Sequence, residues 1–189
     1  MKAKIITIEG IDGAGKSTLA IDLYEHFTAQ QKRVWVSSEP WQNFTLSPDP
    51  LIATRQWLTN RQWHCQNLID YHSDKDLIIL DRFDLSTVAY QGYGDGVDVA
   101  RIHEMNTVAT AGINVTCRLW LNLPVGVAVA RMRGRGEHVS NDETVRLFRV
   151  GNGYAVMSQH EPLKIRTIDA TQPPEDVLRD AIALIEEVL

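Results

Sequence analysis

Cysteine is scarce in this sequence: only Cys65 and Cys117 occur among 189 residues. The two are far apart and lack the spacing of a metal site, so we expect reduced thiols and no disulfide framework. No apolar run approaches the length of a membrane span. The N-terminal residues also lack the basic and apolar pattern of a targeting segment. These absences favour a cytoplasmic protein without a membrane partner.

A net positive charge is absent as well, since the formal net charge is -5. The chain therefore has no overall basic field for nucleic acid or an anionic membrane, and locally placed cations must hold any anionic ligand. With 44% hydrophobic and 23% charged residues, the composition is that of an ordinary globular protein. The length suits a single domain over residues 1–189.

Short apolar segments alternate with stretches of helical periodicity. The predicted strands are Ile5–Ile8, Val34–Val36, Leu77–Leu80, Thr116–Leu121 and Lys164–Ile168. The predicted helices are Lys16–Gln31, Leu51–Tyr71, Val97–Ala111, Pro124–Met132, Asn141–Gln159 and Pro174–Leu189. Alternation of this kind predicts an α/β fold in which helices cover both faces of a five-stranded parallel sheet.

The most informative motif is G-x-x-x-x-G-K-S at residues 10–17, between the first predicted strand and the first predicted helix. Glycines let phosphate oxygens approach the backbone N–H groups of the turn, and the helix N-terminus adds further donors. In this motif Lys16 reaches the β- and γ-phosphates, and the Ser17 hydroxyl coordinates Mg²⁺. The sequence therefore predicts a nucleotide-binding site that uses magnesium.

Asp81 and Arg82 directly follow a predicted buried strand, at the sheet edge where α/β proteins bind ligands. A carboxylate there suits Mg²⁺, and a neighbouring guanidinium suits a second phosphate group. A simple surface ion pair is the alternative. The pair extends the prediction from nucleotide binding to phosphoryl transfer.

Two further segments carry candidate ligand contacts. On the helix over Leu51–Tyr71, Trp57 and Arg61 share one side, which suits either core packing or a flat ligand such as a nucleobase. The segment Arg131–Asn141 is basic, glycine-rich and almost free of apolar residues, so we predict a mobile loop. It is either a solvated surface or a lid whose arginines close over the transferred phosphoryl group.

Six segments of the sequence are typical of one protein family: I-E-G-I-D-G-A-G-K-S-T (Ile8–Thr18), T-N-R-Q-W (Thr59–Trp63), D-R-F-x-x-S-T-x-A-Y-Q-G (Asp81–Gly92), G-D-G-V-D (Gly94–Asp98), A-R-M-R-G-R-G-E (Ala130–Glu137) and I-D-A-T-Q-P (Ile168–Pro173). Through these segments the chain resembles thymidylate kinases along nearly its whole length. The resemblance implies ATP-dependent phosphorylation of dTMP to dTDP by a homodimer. The third segment is the most specific of the six.

The resemblance also implies roles for individual residues. The expected ATP-binding residues are Gly10, Ile11, Asp12, Gly13, Ala14, Gly15, Lys16, Ser17, Thr18, Arg131, Ala170 and Gln172. The expected substrate-binding residues are Asp12, Glu39, Trp57, Arg61, Arg82, Ser86, Tyr90 and Gln91. Among these, Trp57 would stack on thymine, Tyr90 would crowd the 2′ position of the sugar, and Arg82 would hold the acceptor phosphate. The expected catalytic residues are Asp12, Lys16, Arg82, Arg133 and Arg135, and the expected metal ligands are Ser17 and Asp81.

The chain departs from the family pattern after the second strand. Ser38–Gln42 reads S-E-P-W-Q where bacterial members have R-E-P-G-G-T, so one arginine near the acceptor phosphate is missing and Arg55 is a candidate replacement. The alternatives are a deoxynucleoside kinase with Glu9 or Glu39 as its base, a kinase for several deoxynucleoside monophosphates, and a non-enzymatic regulator. The absence of an N-K-x-D sequence argues against a GTPase.

Overall fold

The computed structural model describes residues 3–110, 112–160 and 163–189. Its centre is a parallel sheet of five strands in the order β2-β3-β1-β4-β5. The strands are β1 (Lys4–Glu9), β2 (Val34–Ser38), β3 (Leu77–Asp81), β4 (Cys117–Asn122) and β5 (Ile165–Asp169). The predicted five-stranded parallel sheet is confirmed, and each strand overlaps its predicted range.

In the part of the chain that the structure describes, seven α-helices and one π-helix connect and cover these strands. The α-helices are α1 (Lys16–Ala29), α2 (Pro50–His72), α3 (Asp84–Thr87), α4 (Val99–Ala109), α5 (Val125–Gly134), α6 (Asn141–Ser158) and α7 (Pro174–Glu186). The π-helix spans Val88–Gly94. The six predicted helices correspond to α1, α2 and α4–α7. The helix predicted over Val97–Ala111 corresponds to α4, and its predicted last residue lies outside the described residues.

Alternating side chains of the central strands bury both faces of the sheet. In β3, Leu77 and Ile79 join a large core with α1, α5, α6 and α7. The intervening Ile78 and Leu80 join a smaller core with α2. Strands buried on both faces read as continuous apolar runs, which explains why the sequence identifies them so clearly.

Strand register brings the functional segments to one edge. Ile8 of β1 pairs with Asp81 of β3, and the Arg82 N–H donates to the Ile8 carbonyl at 2.9 Å. On the other side of β3, the Glu39 N–H donates to the Asp81 carbonyl at 3.0 Å. The residues that follow β1, β2 and β3 therefore meet at the carboxyl end of the sheet, where open α/β sheets bind ligands.

The structure corrects two readings of the sequence. Residues 131–134 belong to α5, so the predicted mobile loop over Arg131–Asn141 is wrong in that part, and only residues 135–140 lie outside helices. Residues 84–94 form α3 and the π-helix, which the sequence did not predict. This segment has low helix propensity because it contains two glycines and two β-branched residues: Gly92, Gly94, Thr87 and Val88. Packing against α6 and α4 stabilises it instead.

Two expectations concern features away from the sheet edge. Cys65 and Cys117 are both buried and unpaired in the described part of the chain. Across the same residues, every helix is too short or too polar to cross a membrane.

Candidate active site

The loop between β1 and α1 has the conformation that phosphate binding requires. Gly13 has φ of +83°, and a Cβ there would lie 2.7 Å from the Ala128 carbonyl oxygen. Gly15 has φ of +94° and immediately precedes α1. Both positions favour glycine because L-residues with side chains rarely adopt positive φ. The two glycines therefore keep side chains away from the loop backbone at the start of α1, although the N–H groups of Asp12 and Ala14 already donate to the Tyr90 hydroxyl and the Ile11 carbonyl.

Lys16 is almost fully buried at the first position of α1, with 6% of its surface exposed. Its Nζ donates to the Ile11 carbonyl at 2.9 Å, across the phosphate loop. Burial, together with the charge of Arg82, lowers the pKa of Lys16 to about 7. An anion placed in the loop would reverse this effect, because a nearby negative charge favours the protonated amine.

Ser17 and Asp81 meet beside the phosphate loop. The Ser17 hydroxyl donates to Asp81 Oδ2 at 2.5 Å, while Asp81 Oδ1 is buried and has no hydrogen-bond partner within the described ranges. No group of three or more His, Cys, Asp or Glu side chains that could hold a metal occurs in those ranges. One hydroxyl and one carboxylate fit Mg²⁺, which commonly takes its other ligands from substrate phosphates and water.

A cavity of about 280 Å³ opens next to this loop. The structure places all eight predicted substrate-binding residues around it, and their individual roles stay predictions. The lining consists of Asp12, Glu39, Pro40, Leu46, Trp57, Arg61, Arg82, Ser86, Thr87, Tyr90, Gln91 and Arg146. We refer to it as the inner cavity.

At the loop end of the inner cavity, three predicted residues bind one another. Arg82 Nη2 donates to Asp12 Oδ1, and the Tyr90 hydroxyl donates to Asp12 Oδ2 at 2.9 Å. Burial acts to raise the pKa of Asp12, but the charges of Arg82 and Lys16 hold it below its ordinary value. Arg82 has φ of +70°, an uncommon conformation for a residue with a side chain. The cluster holds an ionised carboxylate and a fixed guanidinium side by side.

Arg61 forms a buried floor for the inner cavity. Its guanidinium donates to both carboxylate oxygens of Glu39, to Asn106 Oδ1 and to the Phe83 carbonyl. Because these bonds occupy Nε and Nη2 fully, one N–H of Nη1 remains for a ligand. His64 lies behind this pair, with Nδ1 3.4 Å from Glu39 Oε1. Arg61 therefore combines a structural ion pair with its predicted place beside the ligand.

The opposite end of the inner cavity is suited to an aromatic ligand. The Trp57 ring packs edge to face against Phe44, with 5.2 Å between the ring centroids. Trp57 Nε1 and Thr87 Oγ1 are buried and have no hydrogen-bond partner in the residues described. Thr87 was given no role by the sequence, although it stands beside Ser86 in the most specific of the family segments. Unpaired polar atoms beside an indole match a ring with polar edges.

Arg55, the candidate replacement for the missing family arginine, does not reach this cavity. It lines a separate surface groove with Phe44, Ile52 and Trp63. The inner cavity instead has Arg146, from α6, which the sequence did not single out. No motif surrounds Arg146, so only the packing of α6 on the π-helix reveals its position.

A central cleft of about 510 Å³ continues from the inner cavity. It shares Asp12, Glu39 and Arg82 with that cavity, and it contains the phosphate loop, Ser17 and Asp81. Beyond it lies an outer groove of about 210 Å³ that shares Gly15 and Thr18 with the cleft. These three spaces form one path along the carboxyl edge of the sheet.

The outer groove contains the residues predicted to hold adenine. Arg131, Ala170 and Gln172 all line it, and Arg131 Nη2 donates to the Ala170 carbonyl at 3.0 Å. Of the two candidate catalytic arginines, Arg135 lines the central cleft and pairs with Glu137. Arg133 lines none of the three spaces and donates to the Val139 carbonyl at 3.1 Å. The structure thus places Arg135 in the cleft that contains the phosphate loop and leaves Arg133 outside the three spaces.

The phosphate loop, Arg82 at the end of β3 and the three connected spaces define a P-loop nucleoside monophosphate kinase fold. Comparison with known proteins agrees. The family model described as thymidylate kinase matches residues 8–181, so this chain belongs to the thymidylate kinase family.

Individual relatives cover the whole chain. The thymidylate kinase of a Cyanothece species is 30% identical and covers 100% of this chain and 96% of its own length. The thymidylate kinase of Acinetobacter baylyi is 31% identical, with coverage of 97% and 99%. The crystal structure of thymidylate kinase from Ehrlichia chaffeensis has a TM-score of 0.77 at 22% identity, covering 98% of this chain and 99% of that one, which supports the fold.

Proposed function

We propose that this chain transfers the γ-phosphoryl group of ATP to dTMP, giving ADP and dTDP. The observation that carries the proposal is the continuous path from the outer groove through the central cleft to the inner cavity. Two nucleotides lying end to end along this path would meet at Lys16 and Arg82. The whole chain would act as one catalytic domain, with residues 135–140 as its lid.

The proposed chemistry depends on positioning and charge. The acceptor is a phosphate oxygen that is already anionic, so the transfer needs no strong general base. Lys16, Arg82 and Arg135 would stabilise the negative charge that spreads over the transferred group in the transition state. Ser17 and Asp81 would hold Mg²⁺, which supplies further positive charge to the phosphates when bound. Closure of residues 135–140 would exclude water from the central cleft.

The inner cavity would select the acceptor. Trp57 would stack on thymine, and Thr87, Gln91 and the free Nη1 hydrogen of Arg61 would bind its polar edge. Tyr90 is held against Asp12 by two hydrogen bonds, so its ring cannot swing aside to admit a 2′-hydroxyl. These contacts favour a deoxynucleotide with a flat, polar-edged base.

A panel of acceptors tests this proposal. The protein with Mg²⁺ and ATP is assayed for ADP release with dTMP, dUMP, dCMP, dAMP, dGMP and thymidine. We expect dTMP to give the highest kcat/KM and each of Lys16→Ala and Arg82→Ala to reduce it by about a hundredfold or more. Faster turnover of thymidine than of dTMP would indicate a nucleoside kinase. ADP release independent of any acceptor would indicate a regulator.

We also propose a cytoplasmic homodimer. Exposed apolar side chains lie on two of the helices: Ile52 and Trp63 on α2, and Val108 on α4. Helices α2 and α4 pack against each other, so these side chains lie on neighbouring elements. Sedimentation of the wild type and of Trp63→Glu tests this, with a shift towards monomer expected for the variant.

A further inference from the structure

Arg146 lies on the wall of the inner cavity, and neither the motifs nor the family resemblance assigns it a role. Two of its nitrogens bind one carboxylate: Nε donates to Asp95 Oδ1 at 2.5 Å and Nη2 donates to Asp95 Oδ2 at 2.8 Å. Its guanidinium carbon stands 5.2 Å from the centroid of the Tyr90 ring. Nη1 makes no hydrogen bond to any residue that the structure describes, so two N–H groups remain for a ligand.

The other arginines of the inner cavity are neutralised within its lining. Arg61 is paired with Glu39, and Arg82 is paired with Asp12, and all four residues line the cavity. Arg146 is the third cation of this lining, and its partner Asp95 is not part of it. Within the described residues, no carboxylate of the lining binds the two N–H groups of Arg146 Nη1. A guanidinium edge that is free in this way suits an anionic ligand group.

Arg146 lies at the end of the cavity that is next to the phosphate loop. Arg82 and Arg146 both stand over the ring of Tyr90, with guanidinium carbons 5.0 and 5.2 Å from its centroid. The hydroxyl of the same ring binds Asp12, in the phosphate loop. Arg146 and Asp12 are close enough for the charge of each to shift the pKa of the other. Trp57, by contrast, marks the end that suits a base.

The side chain of Arg146 is held in place before any ligand binds. Asp95 follows the π-helix directly, and its carboxylate fixes the guanidinium through two hydrogen bonds. Gly94 lets α6 pack closely against the π-helix beside Arg146, since a Cβ there would lie 2.9 Å from Val150 Cγ2, whereas its 3.5 Å distance from Arg146 Cγ would be an ordinary contact. A guanidinium ordered in advance loses less conformational entropy when a ligand binds.

We propose that Arg146 is a substrate-binding residue whose Nη1 donates to the 5′-phosphate of the acceptor nucleotide, opposite Arg82. This inference rests on the proposed function, because it presumes that the inner cavity receives a nucleoside monophosphate. It also gives this chain a second acceptor-phosphate arginine in place of the one missing after β2. That arginine comes from α6, the helix that begins directly after residues 135–140.

Charge-removing substitutions on α6 test the inference. Arg146→Gln is compared with Arg149→Gln, which removes the same charge from an exposed position on the same helix. Arg146→Lys retains the charge but not the planar guanidinium. The measurements are kcat, KM for dTMP, KM for ATP and the Kd of thymidine from tryptophan fluorescence, with circular dichroism as a check of folding.

For Arg146→Gln we expect KM for dTMP to rise by about tenfold to a hundredfold, the effect of losing one charged hydrogen bond. Its kcat and KM for ATP should stay within about threefold of the wild type, as should its Kd for thymidine, which has no phosphate. Arg146→Lys should give an intermediate KM for dTMP. Arg149→Gln should match the wild type throughout.

Several results would overturn the inference. One is a KM for dTMP in Arg146→Gln that equals that of Arg149→Gln. Another is an equal loss of affinity for dTMP and thymidine, which would place the contact on the nucleoside. If Arg146→Gln does not fold, Arg146→Lys takes its place, and a KM for dTMP that is unchanged in Arg146→Lys would overturn the inference. A wild type that does not phosphorylate dTMP would instead contradict the proposed function, so the two failures are distinguishable.

Discussion

Binding of ATP should take up a proton at mildly alkaline pH, because Lys16 is about half neutral near pH 7 in the free protein. Burial and the charge of Arg82 lower the pKa of Lys16 to about 7, and its only hydrogen bond in the described chain is to the Ile11 carbonyl. The phosphates of ATP would place negative charge beside Nζ and restore a pKa near that of an ordinary lysine. The bound form is then protonated where the free form is not.

The size of the effect follows from linkage. Between pH 7.5 and 9 the free amine loses its proton and the bound amine keeps it, so the affinity for ATP should fall by about twentyfold over this range. Uptake should amount to about 0.8 proton per ATP at pH 7.5 and about one proton at pH 9. The sign is fixed: because the free-state pKa is depressed, affinity decreases as pH rises.

Calorimetry in buffers of different ionisation enthalpy measures this uptake directly. The range above pH 7.5 avoids most of the titration of ATP itself and of Glu9, whose pKa burial raises to about 7. Glu9→Gln is the matched control and should retain the uptake, whereas Lys16→Gln should lose it. An ATP affinity that is constant from pH 7.5 to 9, or uptake that disappears in Glu9→Gln, would refute the reasoning.

Three further predictions concern stability and the phosphate loop. Glu39→Gln leaves the buried guanidinium of Arg61 without its counter-charge and should lower the free energy of unfolding in urea by about 3–5 kcal/mol. The exposed Glu137→Gln is the control and should lower it by about 1 kcal/mol or less. Equal losses in the two variants would contradict the buried ion pair. In the wild type, stability should fall by about 3 kcal/mol as pH rises from 4.5 to 7, because folded Glu9 keeps a proton that the unfolded chain releases. Glu9→Gln should remove this decline. If the stability of the wild type and of Glu9→Gln changed with pH in parallel, Glu9 would not be its cause. Gly13→Ala would place Cβ 2.7 Å from a backbone oxygen of α5 at φ of +83° and should weaken ATP binding in calorimetry by about tenfold or more. Gly126→Ala, which faces open space, is its control, and equal affinity in the two variants would argue against a rigid loop.

The sequence predicted the sheet well because the central strands β1 and β3 are buried on both faces and read as apolar runs between turn signals, and the more exposed edge strands β2 and β5 are still short apolar segments between such signals. The phosphate loop and the Asp81–Arg82 pair were predicted for a related reason: their place at strand ends is fixed once the strands are known. The parallel register then brings Ile8 and Asp81 level. Local pattern and overall topology agree at these positions.

Features that depend on packing between distant segments were not predictable. The π-helix and the position of Arg146 both arise from contacts of α6 with residues 88–95, more than 50 positions away in the chain. The sequence placed the end of α5 at Met132 and assigned Arg133 and Gly134 to the loop alone, because glycines and arginines without apolar residues are not typical of a helix. In the structure α5 continues to Gly134. Arg61 was predicted as a ligand contact, and nothing in its sequence context indicated the buried pair with Glu39.

The π-helix over Val88–Gly94 gives this family member a particular route to change. Its turns are wider than those of an α-helix by one residue, so deleting a single residue near Gly92 would restore the narrower turn. Every side chain on one side of the deletion would then rotate by about 100° relative to the other side. Tyr90, Gln91 and Asp95 would no longer face their present neighbours together. A deletion of one codon would therefore change the acceptor side of the inner cavity at several positions at once. Substitutions would have to alter these positions one by one.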